Sequence, residues 1–486
     1  MKKIRLCVAQ EEWDEHAVKG VCPPLGIGYI GSVLDKAGYD VRIIDGHVSG
    51  YNAEKLAEVV DKESPDFVGF TATTYNRYQA IAAIRAVKKR MNVPVIVGGC
   101  HFSVTAKDAL EQIPEIDYVV LSEGEDTVLE LINKLADGES VKDVPGIAYR
   151  DGDKIVLNPN RDWVKDLSKD IPAINWDLYE LDKYQHSLEV FEAPGRSIGL
   201  VSSRGCPEAC AFCAAQEFWK RFMRYRDPIE FVDEIQLLHE KYGFNNFDFY
   251  DQNITLNKKK HLHIICDEIK KRGLKIKWYA RSRVDTILKE DMEMMKDAGC
   301  VAIGYGVESG SPKVLKAIHK RATPEKAYET IKMTLDLGLH VKAFFMFSLP
   351  EEEKEDVDMT IKLMKKVQAL GSKDNLMTPY GFTIIFPGTE VETRAKEYGT
   401  LAEDFSWNQP MKIEERNVRS ENLTIVPFEQ KTFPVEKIRL QVMKGLNTKG
   451  SLVKTAFREF FKIRSLKDAR RFVKDANNFI LNRVKN

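Results

Sequence analysis

Ser203-Arg-Gly-Cys-Pro-Glu-Ala-Cys-Ala-Phe-Cys213 spaces three thiols, Cys206, Cys210 and Cys213, as C-x3-C-x2-C. A [4Fe–4S] cluster normally takes four thiolates, one per iron. A stretch that supplies three leaves one iron open to a small molecule, as a catalytic metal site keeps a position free. Gly205 and Pro207 make the stretch tight and irregular, so it reads as a single loop wrapped round one cluster. Three unrelated thiols in a reduced protein are the alternative. The spacing and the Arg-Gly-Cys-Pro opening occur together, which argues against that alternative.

Working outward, residues 196–390 alternate strand-like and helical patterns. Candidate strands are Ser197–Val201, Asn246–Tyr250, Lys275–Tyr279, Ala302–Gly306, Val341–Phe347 and Phe382–Phe386. Six such units fit a partial, open (β/α)6 barrel, whose sites lie at the carboxyl ends of the strands. The cysteine loop follows the first strand and falls at that face. Residues 1–140 show a second α/β pattern, with apolar runs near Ile4–Val8, Val41–Ile44, Phe67–Phe70, Val93–Val97 and Tyr118–Leu121. Amphipathic segments such as Gly28–Ala37, Ala80–Arg90 and Thr127–Leu135 separate them, which predicts a doubly wound parallel sheet of Rossmann-like type. Ligands of such sheets bind at the carboxyl ends of the strands. Thr71-Ala-Thr-Thr74, Gly98-Gly-Cys-His101 and Glu123-Gly-Glu125 fall there. Residues 141–195 read as a linker containing a hairpin about Asp151-Gly152.

Residues 391–486 read as a helical tail, with 18 Lys+Arg against 8 Asp+Glu over 411–486. Val453, Ala456, Phe457, Phe460 and Phe461 recur at helical spacing, with basic residues between them. This describes either a membrane-surface helix delivering a lipid-like substrate or a helix capping the barrel with a solvated basic face. Formal net charge is zero, so no global field steers the chain to nucleic acid, and no nucleic-acid partner is expected. Eight cysteines in 486 residues are too few for a disulfide scaffold. Cys7, Cys22, Cys100, Cys266 and Cys300 read chiefly as small core residues, with Cys22 and Cys100 in loops. The N-terminus lacks a secretory core and no run of about 18 apolar residues occurs, so a cytoplasmic location is expected.

The cysteine motif and its flanks resemble the radical S-adenosylmethionine (SAM) superfamily, over the whole of 196–390. The resemblance implies a [4Fe–4S] cluster on Cys206, Cys210 and Cys213, with SAM on the open iron and Phe212 as the aromatic residue before the third cysteine. Asp251, after the second strand, offers an acceptor to the SAM amine. Gln252 stands where relatives often carry a second acid, and still offers a carbonyl oxygen. Arg283 resembles the arginine that pairs with the SAM carboxylate, a task its fork geometry suits. Gly304-Tyr-Gly-Val-Glu-Ser-Gly310 resembles the Gly-x-Glu-Ser-Gly element and turns Glu308 and Ser309 toward SAM. Ser348 and Glu351 replace two glycines of a Gly-x-Pro-Gly-Glu loop.

The order of a five-strand sheet before such a barrel resembles the cobalamin-dependent radical SAM family, class B methyltransferases included, over residues 1–390. It implies cobalamin on the first domain, near Leu25 and Gly26 of Pro23-Pro-Leu-Gly-Ile-Gly28, Thr71, Thr73, Gly98, Gly99, His101, Glu123, Gly124 and Glu125. A corrinoid nucleotide tail needs a slot lined by small residues and hydroxyls, which Gly98, Gly99, Thr71 and Thr73 supply. Asp45-Gly-His-Val-Ser-Gly50 matches the Asp-x-His-x-x-Gly string of cobalt-ligating histidines, but on the loop after the second strand instead of the first. Asp14-Glu-His16 follows the first strand with its glycine one residue late. Neither is expected to ligate cobalt.

The implied activity is methylation of an unactivated carbon, or phosphorus, of an organic substrate through a 5′-deoxyadenosyl radical and methylcobalamin. A flavodoxin- or ferredoxin-type electron donor is implied as partner. The alternatives are a cyclisation or rearrangement enzyme with both cofactors and no methyl transfer, a radical SAM enzyme whose first domain binds something else, and a non-catalytic cobalamin carrier or sensor with a structural cluster.

Overall fold

The computed structural model describes residues 2–10, 21–184, 195–409, 425–430 and 433–446. Strands β1 (Lys3–Val8), β2 (Asp40–Asp45), β3 (Phe67–Thr71), β4 (Val95–Gly98) and β5 (Tyr118–Val120) pair in parallel in the order β2-β1-β3-β4-β5. Alternate residues serve opposite faces. Ile4, Leu6 and Val8 join one core, while Cys7 joins the other. Helices Leu25–Lys36 and Glu125–Asp137 cover the first face, and Ala53–Lys62 and Arg77–Arg90 the second. This is the doubly wound sheet read from the sequence. Its register lines up Val8 with Asp45 and Thr71, and Thr71 with Gly98, so the carboxyl ends lie in one row. The order reverses at β1, which opens a crevice above that row.

The segment read as a linker begins by extending this sheet. β6 (Ile147–Asp151) and β7 (Lys154–Leu157) form the expected hairpin, and β6 pairs antiparallel with β5, covering its open edge. The Arg150 guanidinium donates to the carbonyls of Leu110, Ile113 (2.8 Å) and Ile116, behind helix Ala106–Gln112. Farther on, buried Trp176 donates to Glu234 at 3.0 Å, and the Tyr179 hydroxyl donates to the Pro24 carbonyl at 2.8 Å. These residues fasten the segment between the two sheets.

β8 (Arg196–Leu200) opens the barrel. β9 (Ser203–Arg204) and β10 (Arg224–Tyr225) form an antiparallel ribbon that brackets the cysteine loop. β11 (Phe244–Phe249), β12 (Lys277–Ser282), β13 (Cys300–Glu308) and β14 (His340–Phe347) follow. β15 (Leu376–Met377) and β16 (Tyr380–Phe382) then pair with successive parts of β14. The order β8-β11-β12-β13-β14-β16 is parallel throughout, giving the open six-strand barrel. The expected sixth strand is split. Thr383 donates to the Phe347 carbonyl, and the chain then turns so that β17 (Ile384–Ile385) pairs with β18 (Val426–Pro427). Phe249 stacks on Trp278 at 4.8 Å under the barrel helices.

Past the barrel, helices Glu390–Glu397 and Val435–Gly445 bear out helical character for the described part of the tail. Arg77 of the first domain donates to the Trp407 carbonyl at 2.8 Å, so this region also bridges the two sheets. The amphipathic stretch at 452–463 lies outside the described residues. Among those described, no helix is long and apolar enough to cross a membrane.

Because Arg150, on the hairpin, satisfies the carbonyls of Leu110, Ile113 and Ile116, Arg150→Ala should lower unfolding free energy by about 1–3 kcal/mol, measured by urea denaturation. An unchanged midpoint would mean that the hairpin is not integral to the sheet.

Candidate active site and cofactor cavity

Gly205 starts the cysteine loop at φ 97°, and a Cβ there would stand 1.9 Å from the Phe222 carbonyl oxygen, so no other residue fits. The loop is then held from outside. Ala211 N–H donates to Ile318 O at 3.2 Å, Val391 N–H to Ala211 O at 3.3 Å, and the Arg221 side chain to Pro207 O at 2.9 Å. Gln216 donates to Cys210 O at 2.7 Å. Phe212 packs in an apolar cluster with Ala211, Val314 and Ile318.

Burial pushes the Cys210 thiol up to about 11, while nearby Lys320 and Arg283 favour its thiolate. Burial likewise raises Cys206 and Cys213, against the pull of Lys320 on both. Among the described residues no three His, Cys, Asp or Glu converge as one metal ion would require. A cubane asks for something different, since each thiolate binds its own iron. Three thiols on one loop, facing two cations, fit a cluster whose fourth iron is left for SAM.

Three of the other expected SAM residues, Arg283, Glu308 and Asp251, stand round this loop, and Ser309 is buried away from it beside Thr360. Arg283 is buried, bonds Asp285 at 2.8 and 2.7 Å, and lies 3.5 Å from Glu208 of the loop. Glu308 is held at φ 65° and pairs with Lys320 at 2.9 Å. Asp251 is fully buried, and its carboxylate accepts from Ser202 N–H (3.1 Å), Ser202 Oγ (2.7 Å) and Ser203 Oγ. It thus braces the strand leading into the loop. Ser309 turns inward, sharing a 3.1 Å contact with Thr360 Oγ1 and accepting from Ser311 N–H. Gln252 instead projects into the cavity described next. Ser348 and Glu351 keep left-handed backbones, φ 59° and 63°, a conformation that favours glycine. Ser348 is tied down by its bonds to Glu352 and to Phe428 O.

A cavity of about 320 Å³ lies over the crevice of the first sheet and continues to the barrel mouth. Leu25, Gly26, Thr71, Gly98, Gly99, Glu123, Gly124 and Glu125, expected at cobalamin, all line it. At Gly99, φ 85°, a Cβ would stand 2.5 Å from Thr71 Oγ1, so the slot depends on the missing side chain. Small residues, hydroxyls and apolar walls fit a corrinoid with its tail. Ser203, Tyr250 and Gln252 form the opposite wall, on the barrel.

Thr73 and His101 do not line this cavity. Thr73 closes a turn on Asn76. His101 is fully buried between Thr74 (3.2 Å) and Asn408 (3.3 Å), and burial with nearby Arg77 pushes its pKa down to about 3. His47 sits in a turn capped by Asp45 and does not line the cavity either. His16 lies outside the described residues. Of the scattered cysteines, Cys7, Cys266 and Cys300 are buried, Cys22 accepts from Gly199 N–H, and Cys100 reaches the cavity wall.

Sequence reasoning missed Lys320 and Arg204. Lys320 follows the helix after Glu308 and is folded back beside the cysteines by His319 at φ 58°. Its only signal was a lysine beyond the Glu-Ser-Gly element. Arg204 lies inside the motif, and nothing near it in sequence signals its partners. It bridges Glu123 at 2.8 Å and Glu125 at 2.7 Å, from the first domain.

The sequence profile of the Radical SAM superfamily matches residues 200–364, and that of the B12 binding domain matches residues 16–132. An uncharacterized methyltransferase of Pyrococcus horikoshii is 35% identical over 384 residues, 78% of this chain and 80% of its own. The anaerobic magnesium-protoporphyrin IX monomethyl ester cyclase of Cereibacter sphaeroides is 31% identical, over 78% of this chain and 62% of its own length. This chain therefore spans less than two thirds of the latter. The fold is that of OxsB, a cobalamin-dependent SAM radical enzyme solved with aqua-cobalamin and SAM. There the TM-score is 0.72 at 17% identity, over 99% of this chain and 71% of that one.

Replacing Gly205 with Ala should abolish cluster retention, because the loop cannot close against Phe222. Iron and sulfide analysis of the anaerobically reconstituted protein checks this, and full iron loading in the variant would contradict it.

Proposed function

The chain belongs to the radical SAM enzymes that carry a B12-binding domain, and on that premise we propose that it methylates an unactivated carbon, or phosphorus, of an organic substrate. Bound, the cluster and SAM supply a 5′-deoxyadenosyl radical for hydrogen abstraction, and methylcobalamin supplies the methyl group. The observation that carries the reading is the continuity of the cavity, which joins the crevice of the first sheet to the barrel wall beside the cysteine loop. A substrate seated there meets both cofactors in one largely apolar space.

The chain's own groups take distinct parts. Arg283 and Lys320 face the cysteines as cations and are suited to the SAM carboxylate; Glu308 is suited to its amine. Asp251 is a positioning residue through Ser202 and Ser203. Gln252 and Tyr250 face the substrate side of the cavity. A flavodoxin- or ferredoxin-type donor and a cytoplasmic setting accord with an oxygen-sensitive cluster. The Pyrococcus relative favours methyl transfer, while the cyclase relative supports a second reading in which both cofactors act without it.

Anaerobic protein from cobalamin-fed cells should hold corrinoid and one cluster, and turnover should yield S-adenosylhomocysteine together with 5′-deoxyadenosine. 5′-Deoxyadenosine alone, with a cyclised product, would select the second reading. Arg283→Ala should weaken SAM binding at least tenfold, about 1.4 kcal/mol, by equilibrium dialysis; equal affinity would remove Arg283 from the site.

Cobalamin is proposed to bind without a histidine on cobalt, since no described histidine lines the cavity. The visible spectrum of the bound corrinoid should therefore be the same in His16→Ala, His47→Ala and His101→Gln proteins. A histidine-ligated spectrum lost in any of them would overturn that proposal.

A further inference from the structure

Four buried charges join the cobalamin half of the molecule to the cluster loop. Arg204 Nη1 donates to Glu123 Oε1 at 2.8 Å, and Arg204 Nη2 donates to Glu125 Oε1 at 2.7 Å. Arg224 Nη1 donates to the other oxygen of Glu123 and to Val164 O at 2.8 Å. The Arg204 guanidinium also lies 4.7 Å over the ring of Tyr29, on helix Leu25–Lys36. None of the four charged side chains is more than 10% exposed. Burying four charges is costly, and apolar side chains of similar volume would hold two domains together as well or better. The network therefore asks for a reason beyond adhesion.

Its location gives one. Glu123 and Gly124 close the loop after β5, Glu125 opens the helix that follows it, and all three line the cobalamin cavity. Arg204 is two residues before Cys206, and the intervening Gly205 is pinned against Phe222. The strand Ser202–Arg204 is gripped from the barrel by Asp251, at Ser202 and Ser203, and from the first domain by the two glutamates, at Arg204. A shift of the β5 loop is thus passed through directional, charge-assisted contacts, one to each glutamate, toward the first cluster ligand.

We propose that Glu123, Glu125, Arg204 and Arg224 are positioning residues that fix the distance and orientation between the corrin and the cluster. A hydrogen atom must leave the substrate on one side and a methyl group arrive from the other, so the two cofactors must keep a constant separation across it. A misplacement of about 1 Å can cost about a hundredfold in rate. Charge–charge contacts with fixed geometry hold that spacing more sharply than an apolar seam, which can slide. The inference rests on the corrin occupying the cavity described above.

The test uses the full-length protein loaded with cobalamin and cluster, both reduced so that cob(II)alamin and the cluster are paramagnetic. The readout is the acceleration of cob(II)alamin spin relaxation by the cluster, by pulsed electron paramagnetic resonance. Variants are Glu125→Gln and the milder Arg204→Lys. Arg5→Gln serves as control, since it removes a buried ion pair with Asp40 and Glu63 on the first sheet, away from the cluster loop. The wild type should give one narrow value. Both network variants should keep their iron and cobalamin within twofold and show a broadened, several-fold weaker effect, with Arg5→Gln unchanged.

Identical relaxation in loaded variants overturns the proposal, as does an equal change in Arg5→Gln. Loss of a cofactor in both network variants assigns the network to folding of the cavity and overturns it too. A wild type that takes up no cobalamin sinks the cavity assignment instead, and is recognised before any variant is made.

Discussion

The cysteine loop has no shape of its own. From Gly205 to Cys213 it forms neither helix nor strand, so its conformation depends on hydrogen bonds that other segments donate or accept. Ile318 comes from the end of the helix after Glu308, Val391 from the helix after the sixth strand, and Arg221 from just beyond the loop itself. Each anchor belongs to a different turn of the barrel. The barrel must therefore be assembled before the three thiols can face one cluster, and the parallel register is what brings those turns to one face. Burial then raises the thiols, and the iron must supply the free energy that deprotonates them. Lys320 and Arg283 lower that cost.

Strain is concentrated at the same face. Glu308, His319, Ser348 and Glu351 all have positive φ, although none is glycine. Such conformations cost of order 1–3 kcal/mol each and persist only where surrounding contacts over-determine them. The Glu308–Lys320 pair and the Ser348 bonds to Glu352 and Phe428 are those contacts. The barrel tolerates the strain because its apolar faces, with residues such as Phe249, Trp278 and Phe345, are fully buried and well packed.

Architecture was legible because parallel strands buried on both faces are written as short apolar runs, and because the cysteine spacing is local. The strands of both sheets overlap those runs, except that the run Phe382–Phe386 is divided between the barrel and a separate ribbon. The side-chain partnerships were not legible. Asp251 looks from the sequence like a free acceptor at a strand end, yet serines 48 and 49 positions away occupy its oxygens. Glu123 and Glu125 look like cofactor contacts, and they do line the cavity, but their charges are spent on arginines about 80 and 100 positions away. Sequence separation of that size carries no pairing signal in a single chain. His101 shows the same limit, because its partner Asn408 comes from beyond the barrel. The hairpin at 147–157 was readable as a hairpin, but its pairing with β5 depends on an edge that only the assembled sheet presents.

The two walls of the cavity obey different rules, and the difference bears on how the halves cooperate. The wall on the first sheet is lined by apolar side chains such as Leu6, Ile96 and Val128, and is opened at the strand ends by Gly98, Gly99 and Thr71. The wall on the barrel side carries the side chains of Tyr250 and Gln252, with Phe218 and Trp219 beside them. A large, rigid cofactor is accommodated by a backbone slot, because adding a Cβ at Gly99 would close it on Thr71. Variation in substrate is accommodated by side chains, which can change without disturbing the slot. On the proposed function, the residues that hold the common cofactor belong to the sheet, and those free to select a substrate belong to the barrel. The bridges from Arg204 and Arg224 to Glu123 and from Arg204 to Glu125 cross from one wall to the other beside the cysteine loop. Such a division lets one scaffold take up different acceptors while the geometry between its two cofactors stays fixed.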